Sequence, residues 1–159
     1  MTQKIKVFLL VIVAFGFLIR VLGINYVPPS LNWDEVSHGY NAYSILKTGK
    51  DEWGFKFPLI FRAYGDYKLP VYIYVTVISE AIFGVNEFSV RLPSVLAGTA
   101  SIFFTYLLTR KLWEKEDAKE MMALISALLV AIEPWNLFLS RIALEANLAV
   151  VFFIAGVYF

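Results

Sequence analysis

The sequence predicts an all-α membrane protein, a multi-spanning helical bundle whose large first extracytoplasmic loop carries amphipathic juxtamembrane helices. Three observations lead there. Of 159 residues, 59% are hydrophobic and 17% charged, with a mean hydropathy of +0.66, too apolar for a soluble domain of this size. Apolar segments of about 18 residues recur along the chain, each sufficient to cross a hydrocarbon core about 30 Å thick. Lys and Arg gather beside some of these segments and not others, as orientation in a bilayer requires. Composition also excludes. With no cysteine there is neither a disulfide framework nor a thiolate metal site. A formal charge of +1 lacks the basic face of a nucleic-acid binder, so nucleic acid is not an expected partner.

The first apolar segment, 7–24, follows Lys4 and Lys6 and has no small-x-small cleavage site behind it, so it reads as an uncleaved span. Arg20 lies near its far end, where a long side chain is expected to snorkel to the headgroups. Residues 25–91 form the outer loop, rich in the aromatic rings that favour a membrane-water boundary. Within it, Asn32 or Asp34 caps a helix that closes at Gly49 and carries an apolar face of Val36, Tyr40, Tyr43 and Leu46. The aromatic stretch 53–61, broken by Pro58, takes no assignable structure. Segment 70–83 is short and contains Glu80, so it reads as an interfacial or protein-covered helix rather than a crossing. Segments 92–109 and 121–138 qualify as spans, with Glu133-Pro134-Trp135 marking the outer end of the second.

Charge parity supports this choice. Lys4 and Lys6 fall on the same side as Arg110, Lys111, Lys115 and Lys119 only if an even number of crossings separates them. That holds when 7–24 and 92–109 cross and 70–83 does not. Asp34, Glu35, Lys68, Arg91, Arg141 and Glu145 then converge on the outer side. The last apolar segment, with its span at 146–159, reaches Phe159 without a polar flank, so further helices or a partner supplying them are expected. Residues 1–159 thus read as the N-terminal part of one transmembrane domain.

The sharpest cluster is Trp33-Asp34-Glu35, two adjacent carboxylates just after a spanning helix. Ionisable groups at membrane depth are costly and mark functional sites, although acids in a first helical turn also simply stabilise the helix dipole. Lys68, directly before Pro70 and an apolar helix, puts an ammonium at headgroup depth, where it either meets phosphate or serves as a snorkelling anchor. His38 shares a helical face with Asp34.

The ordered set Trp33-Asp34-Glu35-x-x-His38-Gly39-Tyr40, Thr48-Gly49, Tyr67-Lys68-Leu69-Pro70-Val71-Tyr72, Phe83-Gly84-Val85-Asn86-Glu87-Phe88-Ser89-Val90-Arg91-Leu92-Pro93-Ser94 and Ser140-Arg141-x-Ala143-Leu144-Glu145 resembles the C-type membrane glycosyltransferases. More narrowly, it is similar to the protein O-mannosyltransferase and aminoarabinose lipid A transferase group. The resemblance implies transfer of a sugar from a polyprenyl-phosphate-linked donor to a hydroxyl of a protein, lipid or glycan on the outer membrane face. It implies that Asp34 accepts or orients the acceptor proton, with Glu35 a supporting or helix-start residue. Glu145 stands where the family often has an aspartate and is a second acidic candidate. Lys68 matches the lysine that binds the carrier phosphate, and His38, Arg91 and Arg141 are further candidate substrate contacts. Arg91 and Arg141, with Arg62, equally suit helix ends or lipid headgroups. No nucleotide cofactor is implied. A divalent cation stays open, with Asp34, His38 and Glu145 as its only candidate ligands. The implied setting is multi-pass in a membrane, the plasma membrane of a prokaryote. Two other classes stand beside the enzyme: a transporter or channel module lined by Asp34, Lys68 and Glu145, and a non-catalytic accessory fragment.

Overall fold

The computed structural model describes residues 2–159 and is mostly helical. In chain order the elements are α1 (Gln3–Val21), α2 (Trp33–Thr48), β1 (Phe61–Ala63), β2 (Asp66–Lys68), α3 (Pro70–Phe83), α4 (Glu87–Leu112), α5 (Lys119–Ile132), α6 (Pro134–Leu139) and α7 (Glu145–Tyr158).

The organising element is α4. Its 26 residues extend about 39 Å at 1.5 Å per residue, and among the described residues it alone is long and apolar enough to cross a membrane by length and composition. A capping box starts it, Asn86 and Ser89 each accepting from the other's backbone N–H. Helix α1 runs antiparallel to it, with Leu9 packed in the cluster of Ile102 and Tyr106, and Arg20 level with Gly98. Ala123, Ala127 and Ala131 of α5 join that cluster, a four-residue spacing of small side chains that lets the helix backbones approach closely. Helix α7 runs parallel to α4. Asn147 donates to the Ser94 carbonyl at 2.8 Å near one end, and Lys111 donates to the Tyr158 carbonyl at the other.

The 121–138 segment, expected as one helix, is divided. Pro134 has no N–H to give and suits the first helical position, so α5 stops at Ile132 and α6 begins at Pro134. Glu133 caps the second helix, accepting from the N–H of Trp135 at 3.0 Å and of Asn136 at 2.5 Å. This break explains why Arg20 departs from its expected snorkelling position. The carbonyls of α5's last turn lose their helical partners, and Arg20, fully buried, donates to Val130 at 3.1 Å and Ala131 at 3.0 Å. It also reaches Asn136 Oδ1 at 2.7 Å, Ser140 Oγ at 3.3 Å and its own Gly16 carbonyl at 2.9 Å. Buried backbone acceptors here outcompete headgroups.

Residues between α1 and α4 cover one end of this bundle. Helix α2 begins at the N-cap Asn32 with Glu35 completing a capping box, and ends at Gly49 in the left-handed region (φ 70°). The stretch without an assignable structure leads into a β-hairpin. Tyr64 and Gly65 both have positive φ (36° and 84°), the two-residue turn whose twist suits paired strands, and Phe61 faces Lys68 across the ladder. Phe61 then packs with Ala42 and Ile45 of α2 and Ile73 of α3, which ties hairpin and helices into one unit.

Candidate functional site

Helix α2 presents two adjacent carboxylates to different surroundings, because successive helical residues point about 100° apart. Asp34 faces outward to the hairpin, where the Lys68 ammonium lies 2.7 Å from Asp34 Oδ1 and 3.1 Å from Asp66 Oδ2. The Lys68 side chain is only 12% exposed. Burial disfavours its charge, but the hydrogen bonds to Asp34 and Asp66 outweigh that and hold its pKa above the ordinary lysine value.

One turn beyond Asp34, His38 is buried against Tyr72, ring centroids 4.9 Å apart. Its Nδ1 lies 3.0 Å from the Ala143 carbonyl and its Nε2 3.1 Å from Glu145 Oε1. With Nδ1–H donated to the carbonyl, the second contact is a hydrogen bond only when one proton lies between imidazole and carboxylate. Asp34, His38, Asp66, Lys68 and Glu145 line one cavity of about 190 Å³. On the other side of the Lys68 ion pairs, Trp33, Asp34, Tyr64, Asp66 and Lys68 line a second of about 310 Å³.

Glu35 points the opposite way, into the protein, and is 1% exposed. It accepts from Arg91 at 2.8 and 3.3 Å, from the Ala143 N–H at 3.0 Å and from the Asn32 N–H at 3.0 Å. Arg91, fully buried, spends its remaining donors on the carbonyls of Ile24, Pro28 and Ser30. Arg141 similarly donates to the carbonyl of Ile19, in the last turn of α1, at 2.8 Å and to that of Val27, beyond its end, at 3.0 Å. Four of the seven residues singled out in the sequence, Asp34, His38, Lys68 and Glu145, therefore surround one cleft. Glu35, Arg91 and Arg141 stand behind it and fix the segments that carry it. Arg62 stacks over Trp53 at 4.5 Å and lines neither cavity.

Asp66 was not among those seven. Its signal was nonetheless present: a Tyr64-Gly65 turn followed by two-residue alternation puts Asp66 and Lys68 on one strand face. Among the described residues no group of three or more His, Asp or Glu is arranged to hold a metal ion.

A curated relative, the undecaprenyl phosphate-alpha-4-amino-4-deoxy-L-arabinose arabinosyl transferase 1 of Pseudomonas fluorescens (strain Pf0-1), is 44% identical over 48 residues, which is 30% of this chain. The match spans only 8% of that relative's length. No solved structure matches. A family model, dolichyl-phosphate-mannose-protein mannosyltransferase, matches residues 67–159, taking in Lys68, Arg91, Arg141 and Glu145 and leaving Asp34, Glu35 and His38 outside the matched range. With more than half of its residues covered by that model, the chain belongs to the dolichyl-phosphate-mannose-protein mannosyltransferase family.

Proposed function

We propose that this chain forms a large outer loop and four crossings, at about 7–24, 92–109, 121–138 and 146–159, of a membrane glycosyltransferase. The enzyme moves a sugar from a polyprenyl-phosphate donor to a hydroxyl acceptor on the outer face of a prokaryotic plasma membrane. The observation that carries this reading is the Asp34–Lys68 pair at 2.7 Å, a carboxylate and an ammonium set side by side at the mouth of a cleft. Transfer needs both. As the acceptor oxygen bonds to the anomeric carbon, its proton passes to the Asp34 carboxylate; the bond from that carbon to the phosphate oxygen breaks and the pair of electrons leaves with the polyprenyl phosphate. Lys68 offsets the charge that develops on the departing phosphate. Direct displacement inverts the anomeric configuration.

Around this pair, His38 and Glu145 form the inner wall of the cleft, and Glu145 offers a second acid-base group there. Glu35, Arg91 and Arg141 are positioning residues: the first two hold α2 against the segment that follows α1, and Arg141 ties the connection between α6 and α7 to the end of α1 and to Val27. A polyprenyl-phosphate-linked donor agrees with the family and with the name of the bacterial relative. The burial pattern of α2 favours the membrane setting. Its polar Ser37, His38 and Asn41 are buried while Trp33, Val36, Tyr40, Tyr43 and Leu46 are exposed, which suits a helix lying on a lipid surface.

The test is Asp34→Asn in the full-length protein, assayed for sugar transfer from a polyprenyl-phosphate donor. Removing a general base lowers turnover by about 10²- to 10⁴-fold. Unchanged turnover removes Asp34 from the mechanism.

A further inference from the structure

We infer that Asp66 is a placeholder for the carrier phosphate, its carboxylate holding the Lys68 ammonium until a lipid-linked phosphate displaces it. The inference rests on the phosphate-binding reading of Lys68 given above and adds a residue that gates access to it.

Two carboxylates meet the same ammonium, and they are differently built. Asp34 is anchored in the first turn of α2, behind the Asn32 cap, and its side chain is 35% exposed. Asp66 is the first residue of β2, directly after the two left-handed residues of the hairpin turn, and its side chain is 73% exposed. Its ion pair is with Lys68, at 3.1 Å. The carboxyl is held below its usual range by the Tyr67 backbone N–H and then by Lys68, so it is an anion at neutral pH.

Lys68 has three N–H donors, two of them taken by these carboxylates. A phosphate arriving with at least one negative charge would place three anionic groups around one ammonium. The third N–H can meet the phosphate, but three anions around one cation repel one another, which favours release of one, and Asp66 is the one free to go. Rotation about its own side chain carries it into solvent at the cost of its ion pair with Lys68 and its contact with the Tyr67 backbone N–H, whereas moving Asp34 would disturb the start of α2. The geometry adds a consequence for the shape of the site. The two cavities share Asp34, Asp66 and Lys68 as their common wall. Outward rotation of Asp66 removes part of that wall and joins the His38–Glu145 side to the side lined by Trp33 and Tyr64. The phosphate then sits on Lys68 with space for a sugar ring against the aromatic side chains.

The probe is a polyprenyl monophosphate, titrated calorimetrically into the full-length protein in detergent. Asp66→Asn is expected to bind it about two- to five-fold more tightly than wild type, the worth of one exposed carboxylate–ammonium contact. Lys68→Ala is expected to abolish binding, and Asp66→Asn placed on Lys68→Ala to restore none of it. Asp66 is too exposed for its substitution to endanger folding. If wild type binds, Lys68→Ala does not, and Asp66→Asn binds equally or more weakly, the placeholder is overturned while the role of Lys68 stands. A gain from Asp66→Asn that persists without Lys68 also overturns it, because the effect would then be general charge removal. If Lys68→Ala binds as well as wild type, the phosphate-binding reading of Lys68 fails and the placeholder with it.

Discussion

Arg91 and Glu35 show how a charged side chain can be decisive without facing substrate. The guanidinium is fully buried and meets five oxygens, two on Glu35 and one each on Ile24, Pro28 and Ser30. Its planar fork fits that set in a way a lysine ammonium cannot. Removing either partner leaves the other charge buried and uncompensated, a loss of about 3–5 kcal/mol. Both Glu35→Gln and Arg91→Lys are therefore expected to lower the thermal midpoint of the protein in detergent by many degrees. Asp34→Asn, at the cleft mouth, should cost far less, because Asp34 is partly exposed and Lys68 keeps Asp66 as a partner. Equal midpoints for Glu35→Gln and Asp34→Asn would contradict this division of labour between neighbouring carboxylates.

At the scale of elements, what was legible in the sequence was whatever a short stretch decides for itself. Asn32, Glu35 and Gly49 state the bounds of α2 through local hydrogen bonds and one backbone conformation: Gly49 is where the sequence places it, and of the two caps the sequence offers, Asn32 and Asp34, the helix uses Asn32. The arginine partners were not legible, because they are carbonyls freed by distant breaks: Pro134 ends α5, and only then does Arg20 gain Val130 and Ala131 as acceptors. Gly98 is a similar case, since a Cβ there would meet Ser140 Cβ at 2.6 Å, a contact between α4 and the residue that closes α6 that no local pattern announces. Helix α3 carries the clearest prediction at this scale. Glu80, 2% exposed and outside the proposed crossings, faces Gly39 of α2, and neither of its oxygens has a hydrogen-bond partner among the described residues. The charged groups of the elements packed on it do not reach it: Glu35 and Arg91 pair with each other, and His38 pairs with Glu145. Burial alone therefore pushes its carboxyl up to about 7. The fold favours the protonated form, so the stability Glu80 contributes is fully present below about 4.5 and is lost as pH rises through about 7. Glu80→Gln should keep the α2–α3 packing and remove that dependence, so its thermal midpoint is expected to exceed that of wild type at pH 8 and to match it near pH 4.5. Parallel midpoints for the two proteins across this range would rule out a buried, titrating Glu80.

For the whole molecule, the distribution of apolar and polar side chains is reversed relative to a water-soluble bundle. Phe8, Val11 and Phe15 of α1, Ile125 and Leu129 of α5, and Phe152 and Phe153 of α7 face outward, while Arg20, Ser94, Ser101 and Asn147 are buried between helices. Contiguous apolar surface of this kind is stable against lipid and not against water. Helices α1 and α5 run one way and α4 and α7 the other, and α4 carries Arg91, beside the helix that holds Asp34, about 29 Å along its axis from Arg110. That separation makes a topological prediction, and the absence of cysteine from these 159 residues helps to check it. Lys56→Cys lies exposed on the cleft side and Glu116→Cys exposed in the loop between α4 and α5. In intact cells a membrane-impermeant maleimide should label position 56, and should reach position 116 only after permeabilisation. One crossing, α4, then separates the two positions, as it must if Lys4, Lys6 and the basic 110–119 loop share the inner side. Were α3 to cross as well, two crossings would lie between positions 56 and 116 and both would label alike. The large outer loop, and with it the meeting of Asp34 and Lys68 on a single membrane face, would then have to be abandoned.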